Sequence, residues 1–498
     1  MSQRRHSKRR KSRSKRRQSD ARKRSKRNQT TNKESLLALL KWFLPDERIF
    51  ANLKVHGNAK WCGQNLLALA LCWAWSESRN LTDAWTEATG CGQAMFAVLS
   101  VRTYQGFMKA MVKWTVPFMT LLWPVLHQRM EQIGEEFWRI GGWLPIAVDG
   151  SRSTAPRTRG NEAAYCAPNY GKGKRARYGK KKSKGLRRKR NQQSQPQPQE
   201  PQAWITMMWH MGLRLPWTWR LGPSNSSERG HVSEMLKDGN FPKKTLFCGD
   251  AGFTGYPLWS EILRKRAHFL VRVGGNVSLL QESVHYKQEG NIVFCWPKAM
   301  MQSDQPPLKL RLVKVRIQKT TVWLLTSVLA PTSLTSKQLL KLYKLRWGVE
   351  VEFRGLKQTL DRAKLRSRNP ERLLVELHWS IMAMAIAELF ALQAQLSKHS
   401  SPSREKNSQP NPAKRSLANT MRALRTCMRQ LGEVPAPHRD LATLLRQAVT
   451  DSYRRTSSKK ARYRPPNPDK KPLGYPKLAK MTPEHKKKLQ QLNQSQTA

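Results

Sequence analysis

Three acids stand where the chain pattern lets carboxylates meet. Asp149 closes the apolar run WLPIAVDG, Asp250 closes KTLFCGD, and Glu350 lies in the helical stretch YKLRWGVEVEFRGLKQTL. An apolar run ending in Asp-Gly reads as a buried strand that delivers its acid to the C-terminal end. Carboxylates at the ends of adjacent strands, met by a third on a helix, can hold two divalent cations, which activate a water or hydroxyl and stabilise the leaving oxygen of a phosphodiester. Oxygen ligands suit a hard cation, so Mg2+ is the expected metal and Mn2+ its substitute. The plainer reading of each Asp, a helix cap or turn residue, stays open at this point.

The stretch around Glu350 adds weight. Tyr343, Arg346, Glu350 and Lys357 are spaced by 3, 4 and 7 residues, which on one continuous helix places them along one edge. Glu352 falls on the opposite face. Leu342, Val349, Phe353, Leu356 and Leu360 form an adjoining apolar stripe that would pack on a sheet. The edge thus offers an aromatic, two cations and an acid, a set suited to DNA: Arg346 and Lys357 to grip phosphate, Tyr343 to stack or hydrogen-bond near a terminal nucleotide, Glu350 to hold metal. An ordinary amphipathic helix with solvated charges is the bland alternative.

The elements that must position these groups sit in an unusually basic chain. It has 498 residues, 92 Lys and Arg against 33 Asp and Glu, and a net charge of +59. Such a field attracts polyanions, nucleic acid first among them, and argues against a neutral metabolic enzyme. Seven scattered cysteines without a C-x-x-C pair fit a reducing compartment. The apolar runs Leu66 to Trp75 and Ile381 to Leu392 are too short to span a bilayer and read as core helices, so no membrane partner is expected.

Residues 1–33 are a basic arm, with 15 Lys and Arg and the single acid Asp20 between Arg4 and Arg27, and are expected to be disordered until they meet a polyanion. Residues 34–138 read as a helical N-terminal domain and a candidate DNA-binding module, although no clean helix-turn-helix is visible. Residues 139–275 alternate strands and helices around a low-complexity basic and Gln/Pro-rich loop, 157–202. Residues 276–330 alternate as strands without helical periodicity, and 331–396 return to helix with a break near Pro370. Residues 397–498 read as a linker, a helical segment and a Pro/Lys-rich tail.

These residues resemble the DDE transposases of bacterial insertion sequences, specifically the insertion-sequence-four type. That family's signature is Tyr, two residues, Arg, three residues, Glu, six residues, Lys, and Tyr343, Arg346, Glu350 and Lys357 match it without a gap. VDGSR and CGDAGF resemble its two Asp motifs, which puts Asp149 and Asp250 in the places of the first and second catalytic acids. The resemblance spans residues 139–395. It implies an α/β, ribonuclease-H-like catalytic core, a mixed sheet with flanking helices, interrupted by a mostly β insertion at 276–330. It further implies Asp149, Asp250 and Glu350 as catalytic residues and ligands of two Mg2+ ions, and Tyr343, Arg346 and Lys357 as DNA contacts. The expected reaction is strand cleavage at inverted-repeat ends followed by transfer to target DNA, by a homodimer in the bacterial cytoplasm, at the nucleoid. Ala251 departs from the pattern, since many relatives carry Arg after the second Asp.

Two other classes compete. One is a DNA-binding descendant of a transposase that has lost its chemistry; the other is a basic RNA- or ribosome-associated protein, disfavoured because no RNP-like, KH or double-stranded-RNA signature is present. His231, Arg272 and Trp347 read as structural or surface residues, and Trp204, Trp209, Trp217 and Trp219 as packing on strands.

Overall fold

The computed structural model describes residues 35–44, 47–50, 62–96, 101–166, 200–282, 289–317, 320–397, 411–431, 441–449 and 473–497. The basic arm 1–33, the greater part of the loop 157–202 and the stretch 450–472 of the basic tail lie outside the described residues. The chain divides into two compact units. One comprises Glu135–Arg152, Ala203–Phe353 and Ser452–Ala498; the other comprises Met1–Gly134, Ser153–Gln202 and Arg354–Asp451.

The first unit is built on one ten-stranded mixed sheet. In chain order its strands are β1 Leu144–Thr154, β2 Gln202–His210, β3 Leu215–Gly222, β4 Thr245–Gly249, β5 His268–Val273, β6 Ser278–Gln281, β7 Asn291–Cys295, β8 Leu308–Ile317, β9 Thr320–Thr326 and β10 Lys477–Lys480. The spatial order is β10-β6-β7-β8-β9-β5-β4-β1-β2-β3. At its centre β1, β4 and β5 run parallel. Such strands are covered on both faces, which is why LPIAV and TLFCG are continuously apolar and continuously buried. β2 and β3 form an antiparallel hairpin at one end, with Trp209, Trp217 and Trp219 buried in it.

The helices Glu228–Asp238 and Tyr256–Arg264 return the chain from β3 to β4 and from β4 to β5, and pack against each other. Beyond β5 the sheet continues without a break, because β9 pairs antiparallel with β5 and β8, β7 and β6 follow. Residues 276–330 therefore extend the central sheet, with one short helix, Lys298–Gln302, among the strands. Within the Pro/Lys-rich tail, β10 pairs parallel with β6, and the helix Pro483–Thr497 follows.

The second unit is helical. Gly63–Trp75, Leu81–Met95 and Tyr104–Trp138, the last kinked at Gly134 on the unit boundary, gather with Pro370–Leu396 and Leu417–Leu431. The helices of 34–138 thus share one core with residues 354–451 instead of closing on themselves: Trp75 donates its indole N–H to the Ala383 carbonyl (2.8 Å) and Trp379 donates to Thr115 Oγ1 (2.9 Å). The run expected to be too short for a bilayer belongs to the 27-residue helix Pro370–Leu396, which is long and apolar enough to cross one by length and composition. Its apolar window is 89% buried within the protein, and its buried acids Glu376 and Glu388 face Arg362 (3.7 Å) and Arg415 (3.6 Å), so it is described as a core helix. All seven cysteines are free, and six are buried.

Candidate active site

Asp149 and Asp250 come together because their strands are neighbours in register. β1 and β4 pair in parallel with Ala147 opposite Cys248, and continuing that register by two residues places Asp149 beside Asp250 on the same side. Each acid is turned by its own loop. Asp149 Oδ1 accepts the Gly150 N–H (2.9 Å), and Asp250 Oδ1 accepts the Gly252 N–H (2.7 Å). One oxygen of each carboxylate is thereby fixed by backbone, which aims the other.

The third acid arrives on a segment that is not one helix. A capping box between Thr335 and Gln338 starts the helix Ser336–Leu345, which contains Tyr343 and ends at Arg346. Val349 N–H then donates to Arg346 O (3.1 Å) and Glu350 N–H to Trp347 O (3.2 Å), bonds over three residues that tighten the chain locally. A new helix, Gly348–Arg354, carries Glu350, and Gly355–Thr359 widens into a π-helical turn that carries Lys357. Gly348 is required here, since a Cβ at that position would enter the Trp209 ring. The single-helix wheel expected for residues 343–357 is therefore replaced by two helices and a π turn.

Within the sheet unit, Arg346 is the hub. Its guanidinium is buried and lies 3.9 Å from Glu350 Oε1. It also stacks over the Tyr343 and Trp347 rings at 5.6 and 5.3 Å. Tyr343 is buried, whereas Trp347 is 55% exposed. Arg346 and Tyr343 are thus both buried, Tyr343 beneath the guanidinium that meets Glu350, and Trp347 is the exposed aromatic of the three. Glu352, opposite Glu350, is buried and accepts the Trp209 indole N–H at 3.3 Å, so it supports the fold of the segment. Lys357 belongs to the helical unit, where burial lowers the pKa of its ammonium.

The sequence reading missed Glu228, the first residue of the helix Glu228–Asp238, capped by Ser227. Its carboxylate fills the space beside the Gly150 Cα and reaches toward the Asp250 loop at Gly252. Burial, then Asp149, then Asp250 push its pKa up to about 7, against the pull of Arg152. Asp149 is pushed up to about 6, by burial first and by Asp250 and Glu350 after it, while the Gly150 N–H and Arg346 pull it down. An acid in the first turn of a helix is commonplace as a dipole partner, so nothing in SERGH distinguishes Glu228 before the fold is known.

Four carboxylates gathered here, with Asp149 and Glu228 pushed up by burial and by their acidic neighbours, leave an excess of negative charge that a hard cation would neutralise. Among the described residues no three His, Cys, Asp or Glu groups converge into a ready-made cage. That looser arrangement fits Mg2+, which keeps several waters and takes one or two carboxylates from the protein. Asp149, Asp250, Glu350 and Glu228 are the residues that would hold it.

Comparison with known proteins bears on the same residues. No curated protein matches the chain. Among solved structures, the chain is similar to a piggyBac transposase synaptic complex with hairpin DNA, at 14% identity and a TM-score of 0.38, over 84% of this chain and 86% of that one. Residues 200–386 match the family model of the transposase DDE domain, a span that includes Glu228, Asp250 and Glu350 and begins after Asp149.

Proposed function

We propose that this protein is a DDE transposase of the insertion-sequence-four type, which binds the inverted-repeat ends of its element and catalyses strand cleavage and strand transfer. The observation that carries this reading is the meeting of Asp149 and Asp250 at adjacent strand ends with Glu350 beside Arg346, Asp250 and Glu350 lying in the segment 200–386 that matches the transposase DDE domain. The order β3-β2-β1-β4-β5 with β1, β4 and β5 parallel supports the ribonuclease-H-like core that the sequence resemblance implies.

The protein's part in the reaction is to place and tune the acids. Strand ends fix Asp149 and Asp250, and their backbone hydrogen bonds leave oxygens facing outward. Arg346 offsets part of the mutual repulsion, holding Asp149 more readily ionised. Two Mg2+ ions at these oxygens would activate the nucleophile and stabilise the leaving oxygen of an in-line displacement. The nucleophile is water in cleavage and the freed 3′-hydroxyl in transfer, and the same acids serve both because the geometry at phosphorus is the same. Exposed Trp347 faces the substrate side, and Lys357 is the remaining cation of the signature. A homodimer joins two element ends, in the bacterial cytoplasm.

The test is Mg2+-dependent nicking and strand transfer on a duplex bearing the element's own ends. Glu350→Gln is expected to abolish both steps, while Glu131→Gln, on the exposed face of Tyr104–Trp138, leaves both intact. Glu352→Gln is a stability test here, because that residue is buried against Trp209. A native protein that binds the ends and never cuts them would instead mark a catalytically silent descendant.

A further inference from the structure

The cleft beside the Asp250 loop has a wall that comes from the far end of the chain. It has a volume of about 780 Å³ and runs from Ala251 and Gly252 to β6 and β10. Arg229, Lys298 and Lys477 reach it from three separate elements, and among the described residues no Asp or Glu lines it. Its aromatic floor is already committed. Trp259 donates to the Phe253 carbonyl (3.1 Å), Tyr256 to Pro306 (2.6 Å) and Trp296 to Gln305 (2.8 Å). What remains free for a ligand is the exposed cationic rim, with Arg229 steadied by the Thr254 carbonyl at 2.9 Å.

The terminal segment is fastened to this cleft by backbone as well as by side chains. Gly275 N–H donates to Leu473 O (2.7 Å), Lys477 N–H to Val277 O (2.9 Å) and Met481 N–H to Gln281 O (3.0 Å). Met481 is buried, and Lys488 pairs with Asp304 at 2.9 Å. Gly274 makes the approach possible: a Cβ there would collide with the Leu473 side chain and with its carbonyl oxygen. A strand of four exposed residues with lysine at both ends is poorly suited to burying apolar surface. It is well suited to setting charge along a sheet edge.

We infer that β10 is a built-in wall of a DNA track, and that the Arg229–Lys298–Lys477 cleft holds backbone phosphates of the strand that passes Asp250. The inference rests on the transposase reading for the identity of the polyanion. Phosphate is the ligand chemistry that three cations without a counter-acid select, and the cleft opens at the loop of an acid placed at the scissile bond.

The experiment compares binding of a labelled DNA duplex by the native protein, four single variants and one double variant across a series of NaCl concentrations. Lys298→Glu and Lys477→Glu are expected each to weaken binding and to reduce the slope of log affinity against log salt by about 0.9 per lost phosphate contact. Lys243→Glu, exposed in the turn that leads into β4 at the end of that strand away from Asp250, changes net charge equally and is expected to leave the slope near native. Gly274→Val, which expels the tail without altering charge, should lower the slope as Lys477→Glu does, and combining the two should add nothing. Native slopes in both cleft variants, or an equal loss in Lys243→Glu, would overturn the inference, as would an undiminished Lys477→Glu effect in the Gly274→Val protein. If the native protein cuts DNA while the cleft slopes stay unmoved, the track fails alone. If it never cuts but the slopes fall, the track stands and the transposase reading fails.

Discussion

At Asp149 and Glu228 a proton and a divalent cation would draw on the same oxygens. Both side chains have folded pKa values raised above their ordinary 3.8 and 4.5, to about 6 and about 7. A raised folded value means that the native state binds the proton more tightly than the unfolded chain does. The resulting stability is present in full below the ordinary values and is lost as pH rises through the folded ones. In the absence of divalent cations, unfolding by urea should therefore become easier between about pH 4 and pH 8 at these two sites. Glu228→Gln should flatten the upper part of that fall, near pH 7, and the difference between the two proteins isolates one carboxyl from the rest. Added Mg2+ should stabilise the native protein more at pH 8 than at pH 6, since binding requires the ionised oxygens. Parallel curves for native and Glu228→Gln proteins would show that Glu228 does not feel the site.

At the scale of elements, buried charge is what holds the helical unit around Pro370–Leu396. Glu376 is fully buried and faces Arg362, and it also accepts the backbone N–H groups of Arg366 (3.1 Å) and Ser367 (2.9 Å). Removing one partner of such a pair leaves the other charge uncompensated, so Glu376→Ala should destabilise the protein by about 3 to 5 kcal/mol in urea denaturation. A loss below about 1 kcal/mol would mean that the pair behaves as a solvated one. Elements of this kind were partly legible. The strand ends at Asp149 and Asp250 follow from apolar runs that stop at Asp-Gly and Gly-Asp, a local pattern. Glu350 and Arg346 are neighbours because four residues apart on any helix-like path are neighbours, even though the helix is interrupted. The interruption itself depends on Gly348 meeting Trp209, a contact between residues distant in sequence that no periodicity records. Glu228 was illegible for the same reason. Its role arises from Gly150 and Gly252 in other loops, and β10 from the meeting of Leu473 with Gly274.

Across the whole molecule, charge is spread far more widely than any one site requires. The net charge is +59, and Arg4 to Arg27 alone hold 15 Lys and Arg against one acid. A polycation of that density gains affinity by releasing counterions from any DNA it meets, whatever the sequence. Under the transposase reading the acids at the strand ends carry the chemistry, whereas residues 1–27 offer charge. Binding and chemistry should therefore separate when residues 1–27 are removed. Affinity for arbitrary duplex is expected to fall at moderate salt, and the salt slope to decrease by about 0.9 for each arm cation that meets a phosphate. At low salt and saturating protein, the Mg2+-dependent nicking rate on the element's ends should remain near that of the native protein, because counterion release adds affinity and no chemistry. An unchanged salt slope would show that the arm does not touch DNA. A slope that falls together with the saturated nicking rate would place the arm within the cleavage complex.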